Sequence, residues 1–191
     1  MKVIMMQLWP LLQLVFNFFF SLLFIFSLPL FAADVYEKVY LNEKAALKRC
    51  FPGSSQDEVK KIQLKHNEHI ALQHAVGSLI PSNNFQVFTS ESQTNTYAII
   101  SHEQGKYRPI TLMTLIKDSK VVDVMVMIYR EKIGSKVRKK RFLKQFLGKD
   151  INTPLQVDYD IDGISGATVS SWAVAAGVKK GLHVAETLAK R

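Results

Sequence analysis

Asp162-Gly163-Ile164-Ser165-Gly166-Ala167-Thr168 is a run of mostly small residues that leads straight into an alanine-rich stretch from Val169 to Lys190. The composition of that stretch predicts a long C-terminal helix with the run as its N-terminal loop. Backbone N–H groups at a helix start have no partner within the helix and carry partial positive charge, which suits a phosphate. Gly166 and Ala167 let a ligand approach the backbone closely, and Thr168 sets a hydroxyl where an anion would lie. On the residues alone, two readings stand: an anion site, or a Ser-Gly turn closed by a Thr or Ser helix cap.

Upstream, Arg138 to Leu147 reads as a helix with Phe142, Leu143, Phe146 and Leu147 on one face and Gly148 behind it. Before it come four β-rich segments, 85–89, 96–101, 110–117 and 121–129, with turns at Gly105 and Asp118-Ser119. Val122, Val124, Val126 and Ile128 define one face of the last segment, with Val121, Met125 and Met127 on the other. That pattern predicts burial on both sides, with helices covering the sheet. Further back, Asn42 is placed to cap a helix through Arg49 that Phe51-Pro52-Gly53 stops. Ile62 and Leu64 suggest a brief strand, and Asn67 is placed to cap a helix to about Ile80, closed by Pro81. Helix, sheet and helix in this order predict an α+β fold, an antiparallel sheet covered by helices.

The N-terminus is of another kind. Val3 to Ala33 contains no charged residue and is dense in Leu and Phe. It is longer than a secretory apolar core needs and long enough to span a bilayer, so it reads equally as a cleaved signal peptide or a retained anchor. Lys2 is the only charged side chain before the run, so both readings place the rest of the chain outside the cytoplasmic membrane. From residue 34 onward there are 24 Lys and Arg against 16 Asp and Glu. In an exported domain such a surplus points to anionic lipid or an acidic protein rather than nucleic acid. Cys50 is the only cysteine, so neither an internal disulfide nor a Cys-x-x-Cys-His haem attachment can form. It reads as a small buried hydrophobe.

Asp162-Gly163-Ile164-Ser165-Gly166-Ala167-Thr168 resembles the flavinylation motif of the FMN-binding domain family. That family includes the periplasmic flavoprotein subunits of the Na+-translocating NADH:quinone reductase and of the Rnf electron-transport complex. The resemblance implies that a FAD:protein FMN transferase joins FMN by a phosphoester to Thr168. Asp162, Ser165, Gly166 and Ala167 would occupy the other motif positions. Tyr129-Arg130-Glu131 and Phe142 to Lys149 are similar to a second block of the family. Where the complex subunits carry Glu-Thr-Pro-Gly-Leu-Gly near the flavin, Glu131-Lys132-Ile133-Gly134-Ser135 stands here, so only Glu131 and Gly134 match. The chain thus resembles a short stand-alone member. Its organisation reads as 1–33, signal peptide or anchor; 34–82, N-terminal helical and strand part of the exported domain; and 83–191, FMN-binding domain. The implied function is electron transfer between a membrane donor and an exported acceptor. The alternatives are a flavin-dependent reductase of a small acceptor, with Glu131 and His102 as its only acid–base candidates, and a noncovalent FMN or anion module.

Other constellations are weaker. Gly163 to Ala167 is one residue short of a hydrolase nucleophile elbow, but no Asp follows Ser165, and Glu186 comes after His183. His66, His69 and His74 lie near one short helix without a completing ligand and read as solvent-facing. Lys136, Arg138, Lys139, Lys140 and Arg141 read as a solvated face, with docking to an acidic redox partner or lipid headgroups as the alternative. Trp172 shares a helix face with Thr168 and is expected in the core, a flavin-stacking wall being the other reading.

Overall fold

A computed structural model describes residues 36–77 and 85–191. The N-terminal apolar run, and the expected helix end at Ile80 with Pro81, lie outside the described residues. Tyr36–Arg191 form a single unit. Six strands build one antiparallel sheet: β1 (Lys38–Val39), β2 (Val59–Ile62), β3 (Phe85–Ser90), β4 (Gln93–Gln104), β5 (Pro109–Lys117) and β6 (Lys120–Tyr129). Their spatial order is β1-β6-β5-β4-β3-β2, so β3 to β6 form a meander and β5 and β4 lie at its centre. The helices are α1 (Glu43–Cys50), α2 (His66–Val76), the single turn α3 (Lys140–Leu143) and α4 (Thr168–Ala189).

Local chemistry explains most boundaries. Asn42 accepts from the Ala45 N–H at 2.8 Å and starts α1 as expected. α2 starts two residues earlier than the Asn67 cap implies, because the Glu68 carboxylate accepts from the Lys65 N–H at 2.7 Å. It stops at Val76, where Gly77 takes a left-handed conformation. The β5–β6 hairpin turns on Asp118 and Ser119, both at positive φ, as a tight two-residue turn requires.

The sheet is buried on both faces, as the alternation implies. Leu112, Ile116, Val121, Val124 and Val126 pack with Val174, Val178 and Leu182 of α4. On the opposite face, Ala46, Cys50 and Phe51 cover Ala98, Ile100, Met113, Met125 and Met127. Each large aliphatic side chain so buried contributes about 1.5–3 kcal/mol. Two register shifts along β5–β6 alter the expected assignment of β6. The extra residues put Val121 on the same side as Val124 and Val126, and leave Val122 47 % exposed. Cys50 is buried, its thiol 3.2 Å from the Met113 sulfur. Burial, reinforced by Asp123, pushes its pKa up to about 12, so it is inert as a nucleophile.

The helix expected over Arg138–Leu147 is broken. A 3-10 turn at Ser135–Arg138 precedes α3, a second follows at Lys144–Phe146, and Lys139 between the first two is extended. Phe142 and Phe146 are buried, edge to face at 5.4 Å between ring centroids, while Leu147 is 42 % exposed. The segment is pinned to β6: the Gly148 N–H donates to Val121 O at 2.8 Å and the Val121 N–H to Lys149 O at 2.9 Å. These bonds outweigh the helical pattern.

Candidate functional site

The loop before α4 is ordered by backbone and serine contacts. Gln145 brackets Asp162, accepting from its N–H at 2.8 Å and donating to its carbonyl at 3.2 Å. The Ile164 N–H donates to Ser171 Oγ at 3.2 Å, and that hydroxyl donates to Ala167 O at 3.0 Å. The Ala167 N–H closes a turn on Ile164 O at 2.8 Å, with Gly166 at φ +76°. The chain is thus folded back on its own helix start.

Thr168 is the first residue of α4, and Ala167 occupies the cap position, where no side chain accepts from the first turn. A Thr or Ser cap is therefore not what this sequence makes. Thr168 is exposed, and its hydroxyl enters no hydrogen bond among the described residues. Helical bonding starts with the Ser171 N–H, on Ala167 O at 2.8 Å. The preceding N–H groups of Thr168, Val169 and Ser170 face the helix start, where the macrodipole favours negative charge. An exposed hydroxyl beside uncapped donors fits a phosphoester of that hydroxyl.

The remaining expected site residues divide. Asp162, Ser165 and Gly166 are exposed beside Thr168, and Ala167 is buried beneath it. Gly134, at φ +95°, is brought to the same place: a β-carbon there would lie 2.4 Å from Tyr129 Oη, 2.8 Å from Ser170 Oγ and 3.5 Å from Ala167 Cβ. Glu131 is turned away to structural work. Its Oε1 accepts from the N–H groups of Tyr107 at 2.6 Å and Arg108 at 3.1 Å, closing the β4–β5 turn.

Sequence reasoning missed Tyr129 and Ser170 as organisers. The Tyr129 hydroxyl donates to Ile133 O at 2.6 Å and accepts from Ser170 Oγ at 2.9 Å, tying the end of β6 to the first turn of α4. Burial raises its pKa, so the donor is retained across ordinary pH. Its place at the end of an apolar strand was visible; its partner 41 residues away was not.

Trp172 does not pack in the core; it is 54 % exposed. With Val169, Ala173 and Ala176 it lines one side of a groove of about 570 Å³ that begins beside Thr168. Across it lie His102 and Pro109 of β4 and β5. Arg130 donates to Thr111 Oγ1 at 2.9 Å, and that hydroxyl is hydrogen-bonded to His102 Nδ1 at 3.0 Å. Burial, and then the Arg130 charge, lower the His102 pKa and keep the ring neutral. At the far end Lys180 donates to the buried carboxylate of Glu103 at 2.7 Å.

His66 and His74 are exposed on α2, and His69 contacts Gln73 at 3.3 Å. Among the described residues, no three His, Cys, Asp or Glu side chains converge as a metal site would require. Nor is any described helix long and apolar enough to cross a membrane.

No curated protein matches the chain. Residues 105–183 match the model of the FMN-binding domain, a span running from the β4–β5 turn through the small-residue loop and most of α4. The chain therefore carries an FMN-binding domain over these residues, as the motif ending at Thr168 implied.

Proposed function

We propose that the protein is an exported electron-transfer flavoprotein whose FMN is esterified to Thr168. The observation that carries this reading is the exposed, unbonded Thr168 hydroxyl at the uncapped start of α4, inside a domain of an FMN-binding family. In the attachment reaction, Thr168 Oγ1 bonds to the FMN phosphorus of FAD. The pyrophosphate P–O bond breaks, AMP leaves, and the hydroxyl proton is released. A FAD:protein FMN transferase is the partner that supplies this step. The N–H groups of Thr168, Val169 and Ser170 hold the phosphate, Gly166 and Ala167 give it room, and Tyr129 and Ser170 fix the helix start against β6. Bound FMN supplies one- or two-electron exchange.

The uncharged Val3–Ala33 run supports export, as a cleaved signal peptide or as an anchor to the outer face of the cytoplasmic membrane. Outside the cell, a covalent bond keeps a cofactor that dilution would otherwise remove. The basic run at 136–141, with Lys136 and Lys139 to Arg141 exposed, supports docking to an acidic redox partner or to anionic lipid. The second reading is a reductase of a small acceptor, and the neutral, half-buried His102 in the groove is the observation that favours it. Steady turnover of a small acceptor by purified holoprotein would support the reductase. Reduction only through a protein partner would support the carrier.

The reading is tested by expression with and without the transferase, intact mass, and denaturing electrophoresis under ultraviolet light. The expected result is a fluorescent band and one added FMN mass, both dependent on the transferase and absent in Thr168→Ala. A band that survives in Thr168→Ala would overturn the assignment of the bond.

A further inference from the structure

A tryptophan left half in water on the flank of an otherwise well-packed helix needs a reason. Trp172 is 54 % exposed and Val169 36 %, although neighbouring Ala173 and Val174 are buried. Residues 168, 172, 176 and 180 recur every four positions, so they run along one side of α4. At the helical rise, Trp172 lies about 6 Å, Ala176 about 12 Å and Lys180 about 18 Å from Thr168 along the axis. The groove thus runs along the flank of α4 from Val169, the residue after Thr168, to Lys180. Its volume, about 570 Å³, lies within the range that holds small organic ligands.

The lining has the character of a seat for a flat aromatic ring. Ala173 and Ala176 present no side chain beyond a methyl, so a ring can lie against the helix. Pro109 and Val169 supply apolar edges, and Trp172 supplies an aromatic face that offset stacking would cover. Polar groups sit at its margin: His102, and Lys180 with donors beyond the one given to Glu103. A phosphate at Thr168 would place its ribityl chain next to this lining, which begins at the following residue, Val169.

We propose that the groove seats the isoalloxazine ring of the Thr168-linked flavin, with Trp172 stacked on it as the side chain that covers it from solvent. This inference rests on the covalent FMN reading of Thr168. Trp172 is accordingly a positioning residue for the ring and takes no part in forming the ester.

A stacked indole quenches flavin emission, so the test is optical. Holoprotein is produced with the flavin transferase, and flavin load is measured on the denatured chain. Native wild type should emit weakly and brighten several-fold on unfolding. Trp172→Leu should carry the same load and the same far-ultraviolet circular dichroism, yet emit several-fold more strongly in the native state and be more readily quenched by iodide. Trp172→Phe should fall between the two. Since Trp172 is largely exposed, its replacement leaves the core intact. Ala176→Phe, which fills the slot one turn beyond Trp172, should independently raise both emission and iodide access. If Trp172→Leu and Ala176→Phe keep full flavin load and emit as weakly as wild type, the ring seat is overturned while the Thr168 bond stands. If denatured wild type carries no flavin, both fall together.

Discussion

The two ends of α4 are treated in opposite ways. At its start no side chain caps the helix, the Thr168 hydroxyl is unused, and the surrounding loop is folded so as to leave the first N–H groups open. At its end, Arg191 is clasped. Its guanidinium donates to both oxygens of Glu68 at 2.7 Å and to Gln63 O at 3.0 Å, binding the C-terminus to α2. One end has its polar groups satisfied for stability, and the other keeps them available for a ligand. The contrast teaches that a helix start left uncapped, while the far end of the same helix is tied down, is itself a functional signal.

The comparison can be broken most completely at Thr168. Thr168→Ala should abolish covalent flavin while moving the apoprotein melting temperature little, as read by denaturing-gel fluorescence and calorimetry. A large loss of apoprotein stability would mean that the hydroxyl serves the fold after all. Next comes Gly134→Ala, which forces a left-handed backbone and drives a methyl toward Tyr129 Oη and Ser170 Oγ. The backbone strain alone costs about 1–3 kcal/mol, and flavin loading should fall with it.

At the other end, Arg191→Ala should cost about 1–3 kcal/mol by stranding a buried carboxylate, with flavin loading unchanged. The sign of its pH dependence is fixed. Hydrogen bonding from Arg191 holds Glu68 at a pKa of about 2, against an ordinary value of 4.5. That contribution is fully present above pH 4.5 and is lost as pH falls toward 2. Between pH 2 and 6 the melting temperature should therefore depend less steeply on pH in Arg191→Ala than in wild type. The smallest effect is expected for Ser171→Ala, which removes the bridge between Ile164 and Ala167. About 1 kcal/mol should be lost, together with slower flavin loading if the bridge shapes the loop for the transferase. Equal loading rates would assign it to stability alone.

Legibility in the sequence followed the range of the interactions. The four long strands, the Asn42 cap and α4 depend on alternation, turn residues and local composition, and all were readable. The 138–147 segment carried a helical pattern, yet hydrogen bonds to Val121 decide its shape, and a partner contributed from β6 leaves no local mark. Trp172 was expected inside because helical spacing says which residues share a face. It does not say whether another element arrives to cover that face. The motif was legible as a small-residue loop opening α4, whereas the Tyr129–Ser170 contact beside it joins residues far apart in the chain.

Gly177 lies at the middle of α4, where the helix crosses the sheet. A β-carbon there would collide with Leu112 Cδ1 and lie 2.9 Å from Glu103 Cγ, so the helix rides close enough to β4 and β5 that any side chain at 177 would displace theirs. Glu103 belongs both to that contact and to the wall of the groove. The spacing between helix and sheet is therefore a single dimension with two tenants, the apolar interior and the slot along the helix flank. A lone methyl at position 177 would widen both at once, so neither can be adjusted in isolation from the other.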